Sequence, residues 1–386
     1  MGVMNELIDR TTVVRLTALL RDADSSRDWI AVEESADAVN GLQLRARSDV
    51  VAAAILRDNS GADDDHAANY RRLAETVRRA LRENALAGWM VWPVSEAVTS
   101  AALLCWSSGM PHDDGPFDND PFDDGLDLLS ELTPRLSSEF AIRRFLAADL
   151  DRAVDRILPW TLSDDEHVRR LATEGTRAFL PWAVRVAELT ARPEKTVPIL
   201  DALRRDPSEY VRRSVANHLN DLSRQNPGLV VQTAERWMRE PDENTRWVVR
   251  HGLRTLVKKA DPGALALMGF SDTSVVASEI SVVDDTVVLP GALDFSFSVT
   301  NDAESRVRLA VDYVVSYVKS SGALAEKVFK LTTRDLEPGE SVELRKRHAI
   351  HQMTTRVHYA GTHLIELQIN GRRYSRRSFE VELPTG

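Results

Sequence analysis

The sequence predicts a multidomain chain, helical first and β second. An all-α HEAT-like repeat solenoid is expected over residues 1–272, and an immunoglobulin-like β-sandwich over residues 273–386. Three observations lead there. First, stretches starting at Asp165, Ser208 and Asp242 lie in register, each with an acid (Glu166, Glu209, Glu243) followed three residues on by an arginine (Arg169, Arg212, Arg246). The offsets are 209 − 166 = 43 and 243 − 209 = 34, and periods of about 35 to 45 residues with helical texture indicate stacked helix pairs. Second, Pro159, Pro181, Pro193, Pro207, Pro227 and Pro241 punctuate the helical runs. Third, beyond about residue 270 the texture changes to short runs of β-branched and aromatic residues.

Val13, Val14, Leu16, Leu19 and Leu20 make an amphipathic first helix, and Tyr70 to Leu86 another. A polar loop separates them at 59–65. Pro111 to Gly125 is acidic and of low complexity, with two Pro-Phe-Asp steps, and is expected to be a mobile surface loop. In the second part, strands are expected at Ala277–Leu289, Leu293–Thr300, Arg308–Val318, Lys327–Thr332, Ser341–His351 and Gly361–Ile369. Gly291, Asn301-Asp302, Gly322 and Pro338-Gly339 supply turns, and Asn370-Gly371 is a strong hairpin signal. About seven or eight short strands in roughly 110 residues suit a sandwich.

No run of 18 apolar residues exists, so no membrane-spanning helix is expected. Asp9 and Arg10 interrupt the N-terminus before any signal-peptide core, and the single cysteine, Cys105, makes no disulfide or cysteine-based zinc site. A cytoplasmic, reducing setting fits both. The net charge of −10 is unevenly spread. Residues 1–134 hold 12 basic and 24 acidic side chains, residues 135–260 hold 23 and 18, and residues 261–386 hold 14 and 17. The repeats are therefore the basic part of an acidic chain, as phosphate binding requires.

Helical spacing puts Arg170, Glu174 and Arg177 on one face, Arg213, Asn217 and Asp221 on another, and Trp247, Arg250, Arg254 and Lys258 along a third. Glu139 stands near a helix start, where Ser137 or Ser138 can cap. Intrahelical ion pairs such as Arg170 with Glu174 are the simpler explanation of such spacing. There is no metal motif, P-loop or Gly-rich dinucleotide loop, so no metal or cofactor is expected. His218 and His251 are single histidines, better suited to polar contacts than to metal ligation.

Several of these segments resemble the HEAT-like DNA alkylation repair glycosylases, the AlkC branch in particular. The resemblance rests on 137–143, 167–175 and 180–183, on the long stretch Asp206 to Asp221 with its Asn217-His218, and on 247–251. It continues at 311–313, 327–330 and 354–363, covering most of the chain from about 126 to 383. It implies hydrolysis of the N-glycosidic bond of cationic alkylated bases in duplex DNA, such as 3-methyladenine and 3-methylcytosine. It also implies that DNA is bent rather than the lesion flipped into a tight pocket, with the immunoglobulin-like module helping to embrace the duplex. By position, Glu139, Glu174 and Asp221 match the family's acidic site residues, and Trp182 its aromatic one.

The chemistry suits those residue types. A cationic base leaves without a strong general acid, while the developing oxocarbenium ion needs negative charge and a water needs a base. A tryptophan face attracts a cation. Asp221 is expected to stabilise the oxocarbenium ion and position water, assisted by Glu174, Glu139 and Trp182. Arg143, Arg169, Arg212, Arg213, Asn217, His218, Arg246, Trp247, Arg250 and Lys258 are expected to face DNA, with the protein acting as a monomer. No lysine chemistry is implied, so no lyase step is expected. The competing reading is a non-catalytic scaffold that grips damaged DNA or a protein partner.

Overall fold

The computed structural model describes residues 3–61, 65–82, 86–108, 120–270, 274–352 and 357–383. Two compact units emerge, one from residues 1–233 and 240–252, the other from 234–239 and 253–386. The first is wholly helical among the described residues, from α1 (Arg10–Ala23) to α14 (Glu243–Gly252). No helix is long and apolar enough to cross a membrane.

Local chemistry sets the helix starts. The carboxylates of Asp9, Asp120, Asp149 and Asp165 each accept a backbone N–H in the first turn of the helix that follows. The expected loop over 111–125 is corrected in part by one such start. Asp120 caps α6 (Pro121–Leu132), Pro121 fills its first turn, and Phe122 is fully buried against Trp106 and Phe145. Acidic spacing misled there because the acids are partnered: Asp124 accepts from Tyr70 Oη at 2.6 Å and pairs with Arg78 at 2.8 Å, and Asp123 pairs with Arg152. Residues 111–119 of that stretch lie outside the described residues. The expected second helix runs His66–Arg82. Cys105 is buried as a small apolar side chain.

In the repeats, α12 (Glu209–Leu222) packs between α9 (Glu166–Glu174) and α14. Gly252 makes close packing possible: a Cβ there would stand 2.6 Å from Leu219 Cδ2.

Among the described residues the second unit holds nine strands in two packed sheets, the sandwich expected of it, beside short helices at its start. One sheet centres on β4 (Gly291–Asn301), flanked by β7 (Ser341–Ile350) and, on its other edge, by the short β1 (Val275–Ala277) and β2 (Ser281–Val282). The other runs β3 (Thr286–Val288), β9 (Arg372–Glu382), β8 (Gly361–Ile369), β5 (Val307–Val318) and β6 (Leu324–Leu336), with only the β3–β9 pair parallel. Alternation places Leu293, Phe295, Phe297 and Val299 of β4 against Leu309, Val311, Tyr313 and Val315 of β5 in one core. The single strand expected over 277–289 is therefore corrected. It is three short strands, because the chain crosses from one sheet to the other at Val283–Asp285 and must break pairing to do so.

The Asn370-Gly371 turn joins β8 to β9 with φ of 45° and 82°, as a primed hairpin turn requires. It abuts α15 (Arg254–Lys258) and its end, where a Cβ on Gly371 would lie 2.5 Å from Ala260 Cβ. Gly371→Ala therefore meets both a positive φ and a filled space. We expect it to destabilise the second unit by about 1–3 kcal/mol, seen as a lower urea midpoint for the full chain; an unchanged midpoint would mean the turn and Ala260 separate freely.

Candidate active site

Helix α9 ends at Glu174, and an irregular segment, residues 175–186, carries the chain to α10 (Ala187–Ala191). That segment holds Arg177 and Trp182. Helix α12 supplies Ser214 and Asp221. Glu139 comes from the turn before α7 (Ile142–Ala148).

These residues form one chain of charge. Asp221 Oδ2 accepts from Arg177 Nε at 2.9 Å. Arg177 Nη1 donates to Glu174 Oε1 at 2.6 Å, and Glu174 Oε2 accepts from Ser214 Oγ at 2.5 Å. Arg170 lies 3.6 Å from Glu174 and donates to Glu139 Oε2 at 2.7 Å, which also accepts from Ser137 Oγ. The i,i+4 pair anticipated from spacing is thus one link in a longer network. Glu174 is 6% exposed and Asp221 is 3% exposed, so both carboxylates are held by pairing rather than by water. Burial pushes the Asp221 carboxyl above its ordinary range, against the pull of Arg177 and Arg224. Of its two oxygens, Oδ2 is the one that Arg177 takes, and Arg224 lies near enough to attract the carboxylate as well.

Glu139, Glu174 and Trp182 line a single cavity of about 300 Å³ together with Trp89, Trp92, Phe140, Leu44, Leu136, Ser137, Leu180 and Pro181. Asp221 does not line it, nor does Arg177, which joins Asp221 to Glu174. Trp182 is 80% exposed and has φ of 62°. Left-handed backbone costs a bulky residue about 1–2 kcal/mol, so an exposed tryptophan held there is fixed by its surroundings.

The expected DNA-facing set divides sharply. Arg143 is corrected: it is 2% exposed and donates to the carbonyls of Val184, Gly175 and Arg177 at 2.7, 3.0 and 2.7 Å. His218 is corrected too, being fully buried with Nδ1 3.0 Å from Thr173 O and Nε2 3.1 Å from Thr196 Oγ1. A carbonyl only accepts, so Nδ1 carries the proton. Arg169 binds Asp206 at 2.7 Å and the carbonyls of Ser163 and Asp164. Arg212 does the same to the carbonyls of Asp206 and Pro207. In two of the three repeats the in-register arginine, Arg169 or Arg212, is therefore a tie from the first helical turn back to its preceding loop, its charge directed to carbonyls and, for Arg169, to Asp206 rather than offered to a phosphate; in the third, Arg246 is exposed. Arg213, Arg246, Arg250 and Lys258 are exposed, Arg213 paired to Glu209 at 2.5 Å, and Asn217 and Trp247 are half-buried, Trp247 stacked on His251 at 4.6 Å. Ser137 and Ser138 do not cap α7; Ser138 Oγ donates to Leu129 O instead.

Sequence reasoning missed Tyr210, over whose ring the Arg170 guanidinium sits at 4.8 Å, and Ser214. Both stand in the repeat stretch that was singled out, without spacing to mark them. It also missed Trp89, Trp92 and Phe140, whose cluster (Trp92–Phe140 5.0 Å, Trp89–Trp92 6.1 Å) lies outside the basic segment apart from Phe140.

The DNA alkylation repair enzyme family matches residues 136–256, and the C-terminal Ig-like domain of the uncharacterised protein YhaZ matches residues 276–383. The uncharacterized protein YhaZ of Bacillus subtilis (strain 168) is 36% identical over 261 residues, covering 67% of this chain and 72% of that one. The Pseudomonas fluorescens alkylpurine DNA glycosylase AlkC, solved bound to DNA containing an abasic site analog, superposes with a TM-score of 0.79 at 31% identity, over 99% of this chain and 100% of that one. This chain belongs to the AlkC-type family of DNA alkylation repair proteins.

Burial, with Arg177 nearby, drives the His218 pKa down to about 3 from an ordinary 6.5. The histidine stays neutral in the fold and takes up a proton on unfolding, so its contribution is complete above about pH 6.5 and is lost as pH falls toward 3. Over that window we expect a stability slope of about 1.4 kcal/mol per pH unit from this group. His218→Gln should remove the slope in denaturant titrations at several pH values, and an unaltered slope would show that His218 protonates within the fold.

Proposed function

We propose that this protein is a monofunctional DNA glycosylase that hydrolyses the N-glycosidic bond of cationic alkylated bases in duplex DNA, of the 3-methyladenine and 3-methylcytosine class, acting as a monomer without cofactor or metal. The observation that carries the proposal is the Asp221–Arg177–Glu174–Arg170–Glu139 network beside exposed Trp182. Three acids gathered in the basic part of the chain oppose phosphate binding, and chemistry explains them where affinity does not.

In this reading the C1′–N bond breaks with its electron pair going to the base, which leaves neutral. Glu139 and Glu174, at the cavity wall, together with Asp221, stabilise the positive charge that appears on the sugar. Asp221 holds the attacking water through Oδ1 and takes its proton, while Arg177 keeps Oδ2 in place. Trp182 offers a π-face to the cationic base or sugar. Arg213, Asn217, Arg246, Trp247, Arg250 and Lys258 form the DNA-facing set, and the lesion is reached from the backbone side without being flipped into a pocket.

Base release is measured from a duplex carrying one 3-methylcytosine and from methylated genomic DNA. Asp221→Asn should slow release by about 100- to 1,000-fold while DNA binding persists with its steep salt dependence. Because ionised Asp221 is required and burial raises its pKa, release should fall with decreasing pH sooner than for an exposed aspartate. Binding that tightens in Asp221→Asn, with no release by either protein, would instead identify a damage-binding scaffold.

A further inference from the structure

The segment between α9 and α10 has little backbone structure of its own. Within residues 177–185 the described backbone bonds are Arg177 N to Glu174 O at 3.3 Å and Ala183 N to Leu180 O at 3.4 Å. Both ends of the segment instead converge on one side chain. The Arg143 guanidinium, buried under it, takes Gly175 O and Arg177 O with Nη1 and Val184 O with Nε, all within 3.0 Å. No carboxylate hydrogen-bonds Arg143, and Nη2 has no partner among the described residues. Arg185 and Arg177 lie close enough to repel its charge, and the attraction of the Asp221 carboxylate offsets that only in part. A buried cation so poorly compensated would be replaced by an apolar side chain if packing were its whole purpose. What distinguishes an arginine here is geometry: a rigid planar fork reaches carbonyls nine residues apart at once, which an ammonium or a methylene chain cannot.

We infer that Arg143 is a positioning residue: its fork clamps the two ends of the 175–184 segment and thereby sets Arg177 between Glu174 and Asp221 and holds Trp182 in its left-handed, exposed conformation. The position just inside one end is Arg177, whose backbone carbonyl Arg143 grips while its side chain bridges the two acids. Two residues before the other gripped carbonyl is Trp182. Arg143 touches neither base nor sugar in this scheme. The inference rests on the glycosylase reading only for its consequence for rate, not for the clamp itself.

The test uses the full chain labelled with 5-fluorotryptophan, whose Trp182 resonance among the eight tryptophans is identified by its loss in Trp182→Phe. In Arg143→Lys the Trp182 resonance should shift or broaden while those of Trp29 and Trp160, buried elsewhere, stay put. Single-turnover base release should fall at least tenfold, with the Kd for lesion DNA changed less than threefold. Pro181→Gly, which loosens the segment without touching the buried fork, should reproduce both effects and keeps the question open to measurement if Arg143→Lys does not fold. An unmoved Trp182 resonance in either folded variant overturns the clamp. A moved resonance with unchanged release overturns its role in the reaction. If even the parent releases no base, the glycosylase reading fails while the fluorine spectra still decide the clamp.

Discussion

Arg177 stands 2.9 Å from Asp221 and 2.6 Å from Glu174, in a site where both carboxylates are buried. Everything else in the helical unit's site is arranged around that pairing. Uncompensated buried charge costs several kcal/mol per ion, and removing one partner of such a pair typically costs about 3–5 kcal/mol. One arginine bonded to two acids from different elements therefore joins the end of α9 to the end of α12 more firmly than apolar packing alone. Ser214 and Arg170 extend the same logic outward: both oxygens of Glu174 have a donor, Glu139 Oε2 has two, and the network opens to the cavity at Glu174 and Glu139. A catalytic acid cluster must sit in a low dielectric to exert its field and yet remain ionised. Guanidinium partners meet both demands.

The repeats separate two jobs by one step of register. Arg169 and Arg212 fold back on the carbonyls of the preceding loop and hold the inter-helix turns. The next residue along points elsewhere: Arg170 turns to Glu139 and Glu174 at the cavity, while Arg213 is exposed. A helix advances 100° per residue, so adjacent arginines in Arg169-Arg170 and Arg212-Arg213 cannot share a surface. In these two repeats the doubled arginine supplies a structural tie and a second cation, paired to acids at Arg170 and exposed at Arg213; the third repeat has Arg246-Trp247 instead.

The sandwich shows how far alternation carries. Period two in β4 identified its core face, and Asn370-Gly371 identified its hairpin, because both signals are local. The three-way division of 275–288 escaped because sheet membership depends on partners a hundred residues away: Thr286 pairs with Glu380, Val282 with Phe295. In the helical part the same limit applies to charge. Asp120 to Asp124 read as a solvated acidic run, yet Tyr70, Arg78 and Arg152 meet them from other helices.

From sequence alone came the order of parts, the repeat period, the basic middle segment, and the identities of Glu139, Glu174, Asp221 and Trp182 as unusual residues. The first three follow from composition and periodicity, which are properties of neighbouring positions; the four site residues came from the resemblance to the AlkC branch. Only tertiary structure decided which cations face outward. Arg143 and His218 looked available by type and spacing, but burial against loop carbonyls and threonine hydroxyls commits them to the interior. A helical position fixes a direction relative to its own axis; whether solvent, a carboxylate or another loop's carbonyl waits there is set by elements packed from elsewhere in the chain.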